Sequence, residues 1–237
     1  MLFGNVLYYP GCVTKFYLKE IKENYEKIFS KFVDFIELPN MNCCGSPVLN
    51  AGYEKDFEDL KNKNIEVLKK HKVKEIITNC PACFYTFKQV YKIENEKIKI
   101  EHATTKILEA IKEKKIKIKK MLNEEVTYHD PCYLGRYSKI YEEPRGILKA
   151  IGCEILEMDF NRENSYCCGG GGGLQANFTR ISLEISKERI KQALETKANF
   201  LVTACPQCYI VLKRALESIN NKDFKIFEIS QLIIKSL

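Results

Sequence analysis

Eleven cysteines in 237 residues are the feature of this sequence best suited to chemistry. Four of them form two adjacent pairs, Cys43–Cys44 and Cys167–Cys168, and a glycine follows each pair. Adjacent thiols do not easily bind one tetrahedral metal ion together, and a disulfide between neighbours is strained. The repetition of such a pair therefore predicts a site that uses the two sulfur atoms separately.

The cysteines recur in one order in both halves of the chain. The spacing is C-x30-CC-x35-CxxC in the first half and C-x34-CC-x36-CxxC in the second. The surrounding sequence repeats as well, since VLYYPGC at 6–12 matches VTYHDPC at 126–132. We interpret the chain as one unit present twice. The candidate ligands are Cys12, Cys43, Cys44, Cys80, Cys83, Cys132, Cys167, Cys168, Cys205 and Cys208.

The elements that must position these cysteines are short apolar strands alternating with amphipathic helices. Such alternation indicates an α/β fold with mostly parallel sheets and right-handed crossovers. The predicted strands include residues 33–38, 75–78, 154–158 and 200–203, and the predicted long helices cover 52–70 and 174–198. Each candidate ligand follows a predicted strand. Because the carboxyl ends of parallel strands share one edge, we expect each half to gather its five cysteines there.

The domain prediction is a first cysteine-rich repeat at residues 1–112, a basic linker at 113–125 and a second repeat at 126–237. Six of the nine residues from 112 to 120 are lysine, and the net charge is +7. The lysine run predicts a solvated linker or a docking patch for an acidic partner. The surplus positive charge would also offset a buried anionic cofactor. Without arginine richness or a repeated aromatic–basic pattern, we expect no nucleic-acid binding.

Composition predicts the compartment. The sequence has 45% apolar residues but no run of about 18 of them, so we expect no membrane insertion. A basic leader is absent at the start, and a disulfide framework is typical of much smaller secreted domains. We expect a cytoplasmic protein with reduced thiols.

Three chemistries compete for the cysteines. The CxxC motif alone, Cys80–Cys83, is typical of a dithiol redox site at a helix start. Structural zinc would use four of the five thiolates in a half. A polynuclear iron–sulfur cluster has several irons, so adjacent cysteines can bind different metal atoms without strain. Gly45 and Gly169 would then bring backbone N–H groups near the inorganic sulfide.

The full pattern, with YHDPCYLGR and CCGGGGG, resembles the cysteine-rich CCG domain family over nearly the whole chain, twice. That family includes the B-type subunit of heterodisulfide reductase and the C-terminal half of its D-type subunit. It also includes iron–sulfur subunits of glycolate, lactate, glycerol-3-phosphate and some succinate dehydrogenases. The resemblance implies two non-cubane [4Fe-4S] clusters, each held by five of the ten cysteines, and leaves zinc in one half as an alternative.

The resemblance favours a heterodisulfide-reductase-like oxidoreductase subunit, which reduces a small disulfide with electrons from a partner. The chain has no ferredoxin-type CxxCxxCxxxCP run, so the implied partner is a ferredoxin-type iron–sulfur subunit, a flavoprotein subunit, or both. Both five-cysteine motifs are complete, which favours two clusters over one. The alternatives are an electron-transfer subunit of a flavin-dependent dehydrogenase and a zinc-stabilised scaffold.

Several other residues are candidates for a functional or structural role near the cysteines. His129 precedes the sixth candidate ligand and matches Tyr9 of the first half; it is a candidate proton donor, or it orients the loop. Arg136 and Lys15 would contact an anionic thiol substrate or cap a helix. Cys153 has no counterpart and is predicted to lie at a strand start, facing the core.

Overall fold

The structure is a computed structural model that describes residues 5–237. It contains two four-stranded sheets, both entirely parallel, one from each half of the chain. The predicted α/β fold of two repeated units is therefore confirmed. Every helix in these residues is too short or too polar to cross a bilayer.

The first sheet has the order β2–β1–β3–β4. Its strands are β1 (Asn5–Tyr8), β2 (Phe35–Ile36), β3 (Val73–Thr78) and β4 (Lys99–His102). The helices between and after them are α1 (Gly11–Tyr17), α2 (Lys19–Phe29), α3 (Ser46–Asn50), α4 (Glu54–Lys70), α5 (Pro81–Tyr85) and α6 (Ala103–Lys112). One π-helical turn, Thr86–Val90, extends α5.

The second sheet repeats this order as β6–β5–β7–β8. Its strands are β5 (Glu124–His129), β6 (Cys153–Ile155), β7 (Phe200–Thr203) and β8 (Lys225–Glu228). Its helices are α7 (Glu142–Ala150), α8 (Leu174–Asn177), α9 (Thr179–Glu195), α10 (Pro206–Ser218) and α11 (Ile229–Ser236). The strand order places the first strand of each repeat in the interior of its sheet.

Helices of the two repeats pack against one another and join the halves. Helix α2 of the first repeat packs on α11 of the second, and α7 of the second packs on α6 of the first. One apolar cluster fills this layer with residues of both repeats, including Tyr25, Ile107, Ile147 and Ile233. Burial of this apolar surface holds the halves together. A separate core covers the outer face of each sheet.

The structure differs from the sequence prediction in several elements. The edge strand predicted at 33–38 is only Phe35–Ile36, and the edge strand predicted at 154–158 is Cys153–Ile155. The helix predicted at 174–198 is divided at Phe178, which has φ −136° and ψ 59°. The helix after the first CxxC contains the π turn, whereas α10 of the second repeat is regular.

The predicted linker packs against the second repeat. Ile116 is buried in the shared cluster, and the backbone N–H groups of Lys119 and Lys120 donate to the carbonyl of Ser236. All six lysines of the run remain exposed, which leaves the docking patch as a prediction. The division at 112 and 126 likewise stays a prediction. Cys153 begins β6 and is 5% exposed, in the position expected for it.

Candidate metal centres

The five candidate ligands of the first repeat come together at the carboxyl edge of the first sheet. Cys12 lies in α1 after β1, the adjacent pair lies in the loop after β2, and the CxxC lies at the start of α5 after β3. Their thiols interact in a continuous sequence: Cys12 with Cys43, Cys43 with Cys44, Cys44 with Cys83, and Cys83 with Cys80. We call these five residues the first quintet.

The second repeat builds the same arrangement. Cys132 interacts with Cys167, Cys167 with Cys168, Cys168 with Cys208, and Cys208 with Cys205. The Cys168 and Cys208 sulfur atoms are 3.0 Å apart. We call these five residues the second quintet. The structure therefore brings together all ten cysteines that the sequence singled out, five in each repeat.

Glycines after the adjacent pairs let each loop lie directly on a long helix. Gly45 and Gly169 have φ of +81° and +83°, a backbone region that residues other than glycine rarely adopt. A Cβ on Gly45 would be 2.7 Å from the Phe57 ring in α4, and one on Gly169 would be 2.5 Å from the Ser182 carbonyl in α9. The Gly169 N–H donates to the Cys167 sulfur over 3.3 Å. Backbone N–H groups of Cys44 and Gly45 similarly support Cys43.

The thiols of each quintet cannot all ionise together without a cation. Hydrogen bonds from Cys12 and Cys44 lower the pKa of Cys43 to about 3, and the matching bonds from Cys132 and Cys168 lower the pKa of Cys167 to about 2. The pKa of Cys12 is raised by its bond to Cys43 and by burial. One thiolate in such a group opposes ionisation of the next. Metal cations would remove this opposition, because they bind several thiolates at once.

Both quintets line one cavity of about 280 Å³ between the two sheet edges. The first repeat contributes Cys12, Cys44, Cys80 and Cys83, and the second contributes Cys132, Cys168, Cys205 and Cys208. The rest of the wall is apolar or uncharged, and includes Tyr133, Gln207 and the run from Gly170 to Gly173. Among these lining residues, in the part of the chain that the structure describes, none is acidic or basic.

His129 lies beside the second quintet. A ring nitrogen of His129 and the Cys168 and Cys208 sulfur atoms all lie within 4.8 Å of one another. The side chain is fully buried, and burial and then Arg189 hold its pKa well below the usual range. Arg189 of α9 donates from Nε to His129 Nδ1 over 3.1 Å. His129 Nε2 is buried and has no hydrogen-bond partner within residues 5–237.

Arg189 is a functional candidate that the sequence analysis missed. It is fully buried, and its other acceptors are neutral: the Phe160 carbonyl, Gln192 Oε1 and Ser165 Oγ. Burial lowers its pKa to about 10. An arginine on an amphipathic helix normally lies on the solvated face, so no local sequence signal marks this position.

The remaining candidates support the loops. Lys15 donates to the Pro39 carbonyl, and Arg136 donates to the Glu163 and Ser165 carbonyls, so each braces the loop that carries an adjacent pair. His102 ends β4 and caps the start of α6, where its side chain accepts from the Thr104 N–H, and burial lowers its pKa to about 3.

The donor set fits an anionic iron–sulfur cluster better than zinc. Each quintet offers one sulfur more than a tetrahedral zinc ion takes. The second site also contains the buried guanidinium of Arg189, which has no carboxylate partner among residues 5–237. A buried cation is costly unless an anion compensates it, and a thiolate-ligated cluster would be that anion. Zinc in one half stays an alternative.

Comparison with known proteins identifies the family. The sequence profile of the CCG cysteine-rich domain matches residues 6–88 and, a second time, residues 126–213. The chain belongs to the CCG cysteine-rich domain family. Each match contains one complete quintet, so each structural repeat contains one CCG match.

Curated relatives agree with this assignment. Over 243 residues, the chain is 31% identical to the D-type subunit of the dihydromethanophenazine:CoB–CoM heterodisulfide reductase of Methanosarcina acetivorans. That alignment covers 99% of this CCG chain but only 59% of the relative. A probable iron–sulfur-binding oxidoreductase of Bacillus subtilis is 35% identical over 195 residues, which cover 81% of this chain and 28% of that protein.

Among solved structures, a hypothetical protein from Helicobacter pylori has the same fold. The TM-score is 0.67 at 11% identity, and the match covers 100% of this chain and 49% of that one. At this identity the similarity concerns the fold alone.

Proposed function

We propose that this chain is the iron–sulfur subunit of an oxidoreductase that reduces a disulfide at two clusters facing one cavity. The observation that carries the proposal is the wall of the 280 Å³ cavity, to which each CCG domain contributes four cysteines. Two metal sites with a purely structural role would not need to line the same cavity. The relatedness to a heterodisulfide reductase of Methanosarcina acetivorans supports the same interpretation.

The ten cysteines would hold the two clusters, five thiolates to each. When bound, such clusters supply electrons singly at the cavity wall. Cleavage of a disulfide to two thiols consumes two electrons and two protons. A pair of one-electron centres facing one cavity therefore matches the stoichiometry, with one electron from each side. A non-cubane cluster remains our expectation for the cluster type, because five ligands exceed the four of a cubane.

The cavity wall indicates the substrate class. Its lining is apolar and uncharged, and the glycine run leaves open space, because a Cβ on Gly171 or Gly172 would contact nothing within 4 Å. We infer a small disulfide whose sulfur atoms, rather than its charged groups, enter the space between the quintets. Any carboxylate or phosphate of that molecule would remain outside this lining.

We propose that electrons reach the cavity from a partner. Cys167 is the exposed member of the second quintet, and it brings that site to the protein surface. A partner docked there would lie close enough for electron transfer. We propose a ferredoxin-type iron–sulfur subunit or a flavoprotein subunit in this place.

The same exposure favours a second candidate function. A chain with two sites, one of which reaches the surface through Cys167, could relay electrons within a flavin-dependent dehydrogenase. One relative, 29% identical over 98% of this chain, is named EtfAB:quinone oxidoreductase. In that case the cavity would be a gap between relay centres and would bind no substrate.

Turnover separates the two candidates. The protein is isolated without oxygen and given reduced viologen with small neutral disulfides, and thiol formation is followed. We expect turnover that is lost in both Cys44→Ser and Cys168→Ser, because each side contributes one electron. Cys153→Ala, which changes a cysteine outside both quintets, is the matched control and should retain turnover. Full iron content without thiol formation would favour the relay.

A further inference from the structure

The two quintets are equivalent in sulfur but not in their surroundings. Gly45 contacts Phe57 of α4, and Gly169 contacts Ser182 of α9, so these two helix positions correspond. Seven residues further along each helix lie Asn64 and Arg189, and both are fully buried. The first repeat therefore has a neutral amide at the position where the second has a guanidinium.

In the first site the two matched residues, Asn64 and Tyr9, hydrogen-bond the backbone of the loop that carries the adjacent pair. Asn64 accepts from the Asn42 N–H and donates to the Cys43 carbonyl, and the Tyr9 hydroxyl donates to the Asn42 carbonyl over 2.8 Å. Both side chains thus hold the backbone of the adjacent pair. Neither directs a hydrogen towards the sulfur atoms of the first quintet.

In the second site the matched residue His129 lies beside the sulfur atoms. An arginine side chain has only donors, so His129 Nδ1 must be the acceptor in its 3.1 Å bond with Arg189 Nε. The single hydrogen of the neutral ring then lies on Nε2. This atom is buried without a protein partner among residues 5–237, and the ring lies against the Cys168 and Cys208 sulfur atoms. Arg189 therefore sets the tautomer that makes His129 a donor.

We propose that His129 and Arg189 make the second site easier to reduce than the first. His129 donates its Nε2–H to a sulfur of the second quintet or of the cluster it holds, and Arg189 is the positioning residue that fixes this tautomer. The inference depends on the proposed clusters and goes beyond them by ranking the two sites. Hydrogen bonds to sulfur and nearby positive charge both raise the reduction potential of an iron–sulfur cluster.

This role differs from the proton donor expected from the sequence. A neutral imidazole whose Nδ1 is occupied by a guanidinium could give up its Nε2 proton only by becoming an imidazolate. Retaining that hydrogen and sharing it with sulfur requires no such anion. His129 would therefore raise the reduction potential of the second site, and the two protons consumed by disulfide cleavage would come from another source.

Reduction potentials test the proposal directly. In the full chain, Cys43→Ser with Cys44→Ser leaves only the second site intact, and Cys167→Ser with Cys168→Ser leaves only the first. Each form is titrated without oxygen and followed by electron paramagnetic resonance. We expect the second site to have the more positive potential. His129→Phe should lower that potential towards the first site's value, whereas Cys153→Ala, which changes a residue outside both quintets, should leave it unchanged. Equal potentials, or a His129→Phe form with full iron and an unmoved potential, would overturn the proposal.

The tautomer can be measured without any metal. In the apoprotein labelled with ¹⁵N-histidine, nitrogen shifts distinguish a protonated from an unprotonated ring nitrogen. The protein has three histidines, and His102→Gln and His129→Gln assign the signals. We expect His129 with hydrogen on Nε2 only, and with Arg189→Met a loss of that preference. A hydrogen on Nδ1 would refute the proposed tautomer, whether or not the protein binds iron. A failure to bind iron would instead count against the proposed function.

Discussion

The sulfur atoms of Cys168 and Cys208, forty residues apart in the sequence, lie 3.0 Å apart at the edge of the second sheet. Cys168 lies in the loop after β6 and Cys208 lies in α10 after β7, and these two strands are on opposite sides of β5. Such proximity arises because all four parallel strands end at the same edge. A matching interaction joins Cys44 to Cys83 in the first repeat. The two CCG domains are thus two copies of one arrangement of five cysteines.

Loss of one quintet should remove about half of the iron. Cys44→Ser replaces a buried sulfur that interacts with two others, so its site would lose cluster binding while the second repeat keeps its own. We expect about four of about eight irons per chain to remain. Iron and acid-labile sulfide analysis of anaerobically isolated protein measures this. Cys153→Ala should retain all the iron; equal loss in both variants would show that iron content reports folding alone.

Two glycines of the same loop should respond differently to an added methyl group. Gly169→Ala places a Cβ 2.5 Å from the Ser182 carbonyl at φ +83°, so the loop of the second quintet must move away from α9. We expect a loss of about 3 kcal/mol in unfolding free energy and loss of the second site's iron. Gly171→Ala meets nothing within 4 Å and should change neither quantity. Denaturant unfolding with iron analysis compares the two, and equal effects would contradict the packing described.

The buried carboxyl of Glu228 should make stability fall between about pH 4.5 and pH 7. Burial raises its pKa from 4.5 to about 7, although Ser230 and the Tyr25 hydroxyl donate to it. A carboxyl with a raised folded-state pKa favours folding at low pH, and this advantage is lost as pH rises to that pKa. At about 1.4 kcal/mol per pKa unit, the loss is about 3 kcal/mol. Glu228→Gln should abolish this slope in pH-dependent unfolding, while the exposed Glu217→Gln should preserve it. A pH dependence of stability that persists in Glu228→Gln would show that another group causes it.

A buried ion pair holds the loop before the second quintet. Arg145 bonds both carboxylate oxygens of Asp130, at 2.7 and 2.9 Å, and also pairs with Glu157. Asp130→Asn removes a charge from this buried group and leaves Arg145 only partly compensated. We expect a loss of about 3 kcal/mol in thermal or denaturant unfolding. Glu142→Gln weakens the exposed pair with Arg162 and should cost under about 1 kcal/mol. Comparable losses would show that burial does not govern the difference.

Much of this architecture follows from the sequence because strand, cysteine and helix recur in one order. The position of Cys12 after β1 and of Cys80 after β3 was enough to predict that they meet. Cys153 was recognisable as a core residue because it had no counterpart in the first half. These inferences need only local pattern and the rule that parallel strands end together.

The features that could not be predicted from the sequence depend on packing between distant segments. Arg189 has the sequence environment of a surface helix residue, and only the approach of Gly169 to α9 shows that it is buried beside His129. The packing of α2 on α11 is likewise set by tertiary contacts. Tyr25 of α2 donates to Glu228 of the other repeat over 2.7 Å, and their separation of 203 residues hides that contact from any local pattern.

The most direct test is the metal content of protein isolated without oxygen, measured together with its acid-labile sulfide. Two thiolate quintets holding [4Fe-4S] clusters predict about eight irons and a similar amount of sulfide per chain, with a visible absorption that bleaches on reduction. One or two zinc ions per chain, with neither sulfide nor visible absorption, would contradict the account.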